Sequence, residues 1–420
     1  MPDESTQPAH QITGEQNQAI TTGNICDVSG TVAVGQHITQ IQTTHVPEPA
    51  RALHQLRAPV NDFIGREQEI EQLVQMLSAG DGTVATITGI RGMGGIGKTA
   101  LADATAQRLI DTFPDAQIVL QLRGATATPL SPEAALQQVL RAFEPAGKLP
   151  EDLSTLERIY RSHLHGNRVL VLADDACDEA QVRSLLPPPG SALLITSRQR
   201  FRLRGMEPLD LGSLPPTDAE ALLLQICPRI GEHASQLARL CGYLPLALQI
   251  SASVLSNDAT LPVVDYVERL TRERLQHLRD PDGDPDDPQA SVAASLALSY
   301  AALPTAAQVV LAKLSIFAGS FDREALVAVV QSVDEVEKIA GLLYRRNLLD
   351  YRDERYALHD LVREFATAQL DANIAWTVQQ HAWHYLRVAQ RAGKLYAEGG
   401  EKMKVGVLLF DCERDQIDAG

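Results

Sequence analysis

The chain has 420 residues, too many for one ordinary core, and 45% of them are hydrophobic, enough to build several. Acidic residues outnumber basic ones 53 to 37, a formal net charge of −16, which argues against a broad nucleic-acid footprint because that needs a basic face. Cys26, Cys177, Cys227, Cys241 and Cys412 form no C-x-x-C pair and read as free thiols of a reducing compartment. No apolar run reaches the ~18 residues of a membrane span, and "MPDESTQPAH" has no basic-then-apolar leader, so the expected location is cytoplasmic with no membrane partner.

Residues 1–50 are β-branched stretches broken by glycine, with Ile20, Ile25, Val28, Val32, Val34 and Ile38 at irregular intervals. They read either as short strands that order on assembly or as a leader without order of its own. Residues 51–60 are expected to be a linker. In the following "DFIGREQEIEQLVQML", Ile70, Leu73, Val74 and Leu77 share one helical face. Up to residue 213, short apolar runs at 83–90, 116–122, 168–174 and 191–197 alternate with helical stretches. Such continuous runs suit strands covered on both faces, hence a parallel sheet in an α/β domain over 61–213.

Strand signals then nearly vanish. Residues 214–279 read as a helical subdomain, and the Pro/Asp-rich 280–290 as a hinge loop that cannot continue a helix. Residues 291–371 combine helices near 291–302, 305–317, 322–331 and 333–347 with the hairpin-like "LLDYRDERYALHD", a winged-helix outline. Residues 372–420 are helical, with no obvious partner inside the chain, and are expected to begin a longer C-terminal region.

Chemistry concentrates after the first strand. Gly92-Met93-Gly94-Gly95-Ile96-Gly97-Lys98-Thr99 fits G-x-x-x-x-G-K-[ST], between an apolar strand and an Ala-rich helix, and the nucleotide-binding run is expected to extend to Ala100. Glycines let backbone N–H groups wrap phosphates, the helix N-terminus adds partial positive charge, Lys98 reaches the outer phosphates, and the Thr99 hydroxyl ligates Mg²⁺. "RVLVLADDA" supplies Asp174, the expected Mg²⁺-side acid, and Asp175, placed to orient or deprotonate a water or else to cap the next helix. The strand ending "LLITSRQR" brings Arg198 over the same sheet edge. No N-K-x-D follows, so adenine is favoured over guanine.

The ordered motifs "DFIGREQEIEQL", "GMGGIGKTAL", "RVLVLADDA", "LLITSRQR", "CGYLPLALQI" and "YALHDLVREFA", spread over residues 62–370, resemble the NB-ARC branch of the STAND signalling ATPases. That branch includes plant disease-resistance proteins, animal apoptosis activators and many bacterial regulators. The resemblance implies that Phe63, Ile64, Gly65 and Arg66 line the adenine and ribose pocket and that Arg198 senses the γ-phosphate. It implies that Pro245, in a G-L-P-L-A-like motif with an extra Tyr243, packs on the base. It also implies that His359, in an M-H-D-like motif with Leu358 for Met, bonds the ADP β-phosphate. By itself, a His before an Asp reads as structural.

The function implied is a switch: ADP with a closed form, ATP and Mg²⁺ with an open one that self-associates and clusters an unknown effector after an unknown trigger. ATP hydrolysis would be slow. An ATP-dependent DNA-binding regulator is the alternative. Its candidate recognition helix mixes Asp334, Glu335 and Glu337 with Lys338, Arg345 and Arg346, so a nucleic-acid partner is not expected. A scaffold that holds ADP without hydrolysing it is argued against by intact Lys98, Thr99 and Asp174.

Overall fold

The structure is a computed structural model that describes residues 31–32, 41–42, 53–57, 63–78, 86–126, 128–145, 147–277, 288–330, 335–352, 354–370 and 374–419. The chain divides into two units, Met1–Ala50 and Arg51–Gly420. In the first, β1 (Thr31–Val32) and β2 (Ile41–Gln42) pair antiparallel. The rest of that segment lies outside the described residues.

The second unit opens with α1 (Glu67–Ser78), β3 (Thr86–Arg91), α2 (Lys98–Arg108), β4 (Ala116–Gln121), α3 (Pro132–Phe143) and α4 (Leu153–Leu164). It continues with β5 (Val169–Ala176), α5 (Glu179–Arg183), β6 (Ala192–Ser197) and β7 (Met206–Asp210). The sheet runs β4-β5-β6-β3-β7 with every pairing parallel. Period-two alternation splits its side chains between two cores. Leu170, Leu172, Ala192 and Leu194 meet α1 and α2, while Val169, Val171, Ala173, Leu193 and Ile195 meet α3, α4 and α5. Side-chain caps start three of these helices: Ser131, Asp152 and Asp178 accept from Ala134, Thr155 and Gln181 N–H.

Both sheet edges depart from the expectation. β7 carries no strong strand signal because it is an edge: three of its five residues are exposed and it contains Pro208, which only an edge tolerates. On the other side, residues 53–57, expected as linker, run beside β4. Gln55 N–H donates to Gln117 O at 2.9 Å, and Gln117 N–H to Leu53 O at 2.7 Å.

Helices follow: α6 (Pro216–Ile226), a 3₁₀ turn over Pro228–His233, α7 (Ala234–Leu240), α8 (Pro245–Asn257) and α9 (Val263–His277). The Pro/Asp hinge lies almost entirely outside the described residues. Next come α10 (Pro288–Ala301), α11 (Thr305–Leu314), α12 (Arg323–Val330), α13 (Val336–Arg345), β8 (Asp350–Arg352), β9 (Arg355–Ala357) and α14 (Asp360–Thr367). Phe321 and Tyr356 exchange backbone hydrogen bonds of 2.9 and 2.8 Å, tying the β8–β9 hairpin to the helices and giving the winged-helix outline.

The C-terminal pair α15 (Ile374–Glu398) and α16 (Gly400–Ala419) does have partners inside the chain, contrary to expectation. Tyr385 is 1% exposed in the same core that includes Leu101, Leu248 and Phe317. Among the described residues, no helix is long and apolar enough to cross a membrane.

Phe321 is fully buried and stacks on Phe317 with ring centroids 3.9 Å apart. Truncation to alanine removes that packing, so Phe321→Ala is expected to lower unfolding free energy by about 3–5 kcal/mol. A denaturant midpoint that stays at the wild-type value would contradict this packing.

Candidate functional site

The strand order places the ends of β5, β6 and β3 side by side, so whatever follows these strands meets at one sheet edge. After β3 comes the glycine turn. Gly95 (φ 76°) and Gly97 (φ 94°) sit in the left-handed region, where a side chain would strain the backbone. Gly97 caps α2, and no side chain bonds to that N-terminus nor does an acidic residue occupy its first turn. That arrangement fits an anion, because the first N–H groups of a helix have no intrahelical acceptor. Ile96 turns away into the core, 5% exposed. Thr99 and Ala100 follow Lys98 in the first turn of α2, each half-buried.

Lys98 Nζ donates to Gly92 O and Met93 O, both at 2.9 Å. Burial, with Arg198 nearby, pushes its ammonium down to about 8, although Asp175, Asp174 and Asp360 pull the other way. A cation held this far below its ordinary range gains from an arriving phosphate, a second fit to a polyanion.

Asp174 is 4% exposed and its carboxylate is crowded with donors. Thr99 Oγ1 lies 2.9 Å from Oδ1, Thr196 Oγ1 2.6 Å from Oδ1 and Gln121 Nε2 3.2 Å from Oδ2. The Thr99 hydroxyl and the Asp174 carboxylate therefore adjoin, a hard oxygen pair of the kind Mg²⁺ takes. Asp175 has a left-handed backbone (φ 56°), and its carboxylate accepts Ala125 N–H at 2.9 Å and lies 3.6 Å from Arg198 Nε. Burial raises its pKa.

Two further elements close on the turn. Leu246 N–H, at the start of α8, donates to Gly95 O at 3.3 Å. A Cβ on Gly97 would lie 3.7 Å from Pro245 Cγ, and one on Gly94 would lie 3.2 Å from Leu361, at the start of α14. Asp360 accepts Arg198 at 2.5 Å through Oδ2 and Arg363 at 2.9 Å through Oδ1. His359 caps α14: its Nδ1 accepts Leu361 N–H at 3.2 Å, and burial lowers its pKa. A neutral imidazole with Nδ1 accepting carries its proton on Nε2, leaving that N–H as a donor.

The structure thus gathers Lys98, Thr99, Asp174, Asp175 and Arg198 around the glycine turn, with Pro245 and His359 on the elements that close on it. The Phe63–Arg66 motif is tied to neighbouring elements. Arg66, 7% exposed, donates to Glu69 at 2.7 Å and to Gly212 O at 2.5 Å, and Gly65 lies against Asp218. Phe63 and Ile64 pack on the core. These contacts tie α1 to the segment between β7 and α6. Residues that sequence reading passed over are Thr196 and Gln121, which hold Asp174, and Leu246 and Leu361, which wall the turn. For Thr196 a signal existed: it shares strand parity with Arg198, two residues on.

The Lys98 titration is directly measurable. In the chain without nucleotide, the Lys98 Cε resonance is expected to titrate near pH 8, well below surface lysines, and to move up on adding ADP. Its depressed pKa costs stability below pH 8, a cost relieved between about pH 8 and 10.5 as the amine becomes neutral in both states. A midpoint equal to that of the exposed lysines would remove the buried-cation description.

Several known proteins are similar to this chain. The NB-ARC domain model matches residues 66–201. The regulatory protein AfsR of Streptomyces griseus is 36% identical over 327 residues, covering 75% of this chain and 33% of the relative. Disease resistance protein RGA2 of Solanum bulbocastanum is 22% identical over 352 residues, 74% of this chain and 35% of the relative. The chain thus spans about a third of the length of these relatives. The crystal structure of a STAND protein with a tetratricopeptide repeat sensor from Pyrococcus horikoshii shares the fold, with a TM-score of 0.53 at 16% identity. It covers 89% of this chain and 54% of its own. With the phosphate turn inside the matched segment and the helical modules folded beside it, the chain belongs to the NB-ARC family of STAND P-loop NTPases, which are nucleotide-binding signalling switches.

Proposed function

We propose that the chain is a switch set by adenine nucleotide: the closed arrangement described here suits ADP, and ATP favours an open one that self-associates. The observation that carries this reading is the Arg198–Asp360 ion pair at 2.5 Å. It joins the residue after β6 to the first residue of α14, so the arginine facing the phosphate turn is also what holds the winged-helix part shut. A terminal phosphate on the turn competes with Asp360 for Arg198, and winning that competition loosens α14.

In this reading Gly92, Gly94, Gly95 and Gly97 offer backbone N–H groups, Lys98 and Ala100 flank the phosphates, and Thr99 with Asp174 holds Mg²⁺. Phe63, Ile64, Gly65 and Arg66 border the adenosine end, and Pro245 packs on the base. The Nε2–H of His359 bonds the β-phosphate. Asp175 orients water for a slow hydrolysis that resets the state.

Driving such a switch from 1:99 to 99:1 takes about 5.5 kcal/mol of differential affinity. The Arg198–Asp360 pair is a quarter to a third exposed, so its exchange contributes about 1–2 kcal/mol after screening. The Leu246 and Leu361 contacts and the His359 bond would supply more. The DNA-reading alternative is weakly supported by α13, where Lys338 pairs with Glu335 and Glu337 with Arg323, and Arg346, just after it, is buried, which leaves Arg345 as its exposed cation outside those pairs. The names of the relatives, regulatory and disease-resistance proteins, agree with a signalling role.

Lys98→Ala is expected to abolish ADP retention, read as nucleotide released on denaturing purified protein. Retention at the wild-type level would end the phosphate reading. Asp360→Val is expected to raise the ATP:ADP occupancy ratio about tenfold and to shift the light-scattering mass with ATP toward assemblies. An occupancy ratio and mass identical to wild type would show that Arg198 is not the coupling element.

A further inference from the structure

The last helix carries two rows of polar side chains that face different parts of the molecule. On one row, Asp415 Oδ1 lies 3.2 Å from Arg123, Asp411 lies 3.3 Å from Arg141 Nε, and Arg414 donates to Gln137 at 3.3 Å. Arg141 and Gln137 belong to α3, and Arg123 follows β4. On the other row, Glu413 takes Arg355 of β9 bidentately at 2.5 and 2.9 Å. Gln416 accepts Ala318 N–H at 3.2 Å and donates to Ser320 O at 3.1 Å. One helix therefore binds the nucleotide sheet and the winged-helix part at once.

Arg123 is 11% exposed and has a left-handed backbone (φ 54°), a conformation that an L-residue holds only when its surroundings fix it. The two residues after it grip Asp175. Gly124 N–H donates to Asp175 O at 2.6 Å, and Ala125 N–H to Asp175 Oδ2 at 2.9 Å. A Cβ on Gly124 would come within 2.3 Å of Cys177 N, so the loop and the end of β5 touch without slack. Burial raises the carboxyls of Asp411 and Asp415, and the arginines facing them act against it, as desolvated ion pairs do.

We propose that Arg123 is a positioning residue for Asp175, held by Asp415, so that α16 controls the Asp175 carboxylate from outside the phosphate turn. The catalytic half of this rests on the switch reading, in which Asp175 orients water. The structural half does not, and the two are tested separately.

Hydrogen exchange on the full chain without nucleotide reads the first half. Asp415→Asn is expected to speed exchange of the Gly124 and Ala125 amides about tenfold, with α16 itself still protected. Arg123→Glu is expected to do the same, and the swapped double variant Arg123→Glu/Asp415→Arg to restore protection. Unchanged exchange in Asp415→Asn, or a double variant no better protected than the singles, would overturn the contact.

Steady-state ATP hydrolysis reads the second half. Asp415→Asn is expected to lower kcat about fivefold with KM within about twofold, and the swap to recover kcat. An unaltered kcat alongside lost protection would overturn the positioning role. Wild-type protein that neither binds nor turns over ATP would instead sink the switch reading, with the exchange result still deciding the Arg123 contact.

Discussion

Two cations brought to the end of one parallel sheet set the terms for the whole second unit. Arg198 sits close enough to make Lys98 costlier to charge, and three carboxylates, Asp174, Asp175 and Asp360, act on Lys98 in the opposite sense. Two of these acids come from β5 and one from α14. The balance is thus struck between separate modules. A tertiary arrangement that moved α14 away would leave Arg198 with Asp175 alone, at 3.6 Å. Electrostatics at the turn and the relative placement of the helical parts are one problem.

Packing agrees with that coupling. The core on the α1–α2 face of the sheet does not stop at the sheet domain but runs on through Leu246, Leu248, Leu311 and Phe317 to Tyr385. The other core, beneath α3, α4 and α5, is confined to the sheet domain. The sheet is therefore anchored on one side by its own helices, while on the other it shares apolar surface with everything that follows. Rigid support below and a shared layer above suit a scaffold whose upper modules are held to it by the turn.

The sequence made the phosphate side of this legible and the closing side much less so. The turn, Asp174, Asp175 and Arg198 stand at strand ends, where chemistry restricts residue type and short apolar runs mark the strands. Leu246 and Leu361 wall the same turn, yet an apolar residue at a helix start has no local sign of what it will touch. β7 escaped because an exposed edge holding a proline has neither continuous nor alternating hydrophobicity. The docking of residues 53–57 combines two backbone bonds with side-chain bonds such as His54 to Gln117 and Val119 N–H to Gln55 Oε1, and no hydrophobic period marks it in the sequence. The acids of α16 look like the solvated end of a helix, and only the fold places Arg123 and Arg141 opposite them. In Phe63–Arg66 the motif gave no local sign that Arg66 would also bond Glu69 and Gly212.

Asp360 has two arginines, one on each oxygen, and they differ in kind. Arg363 is three residues along the same helix and travels with it, whereas Arg198 belongs to the sheet. If the two modules part, the carboxylate keeps a counter-ion and is never stranded. Stranding a charge is what makes breaking an ion pair so unfavourable. Separation at this joint therefore asks only for the loss of an attraction and adds no penalty of isolation, a latch with a built-in spare.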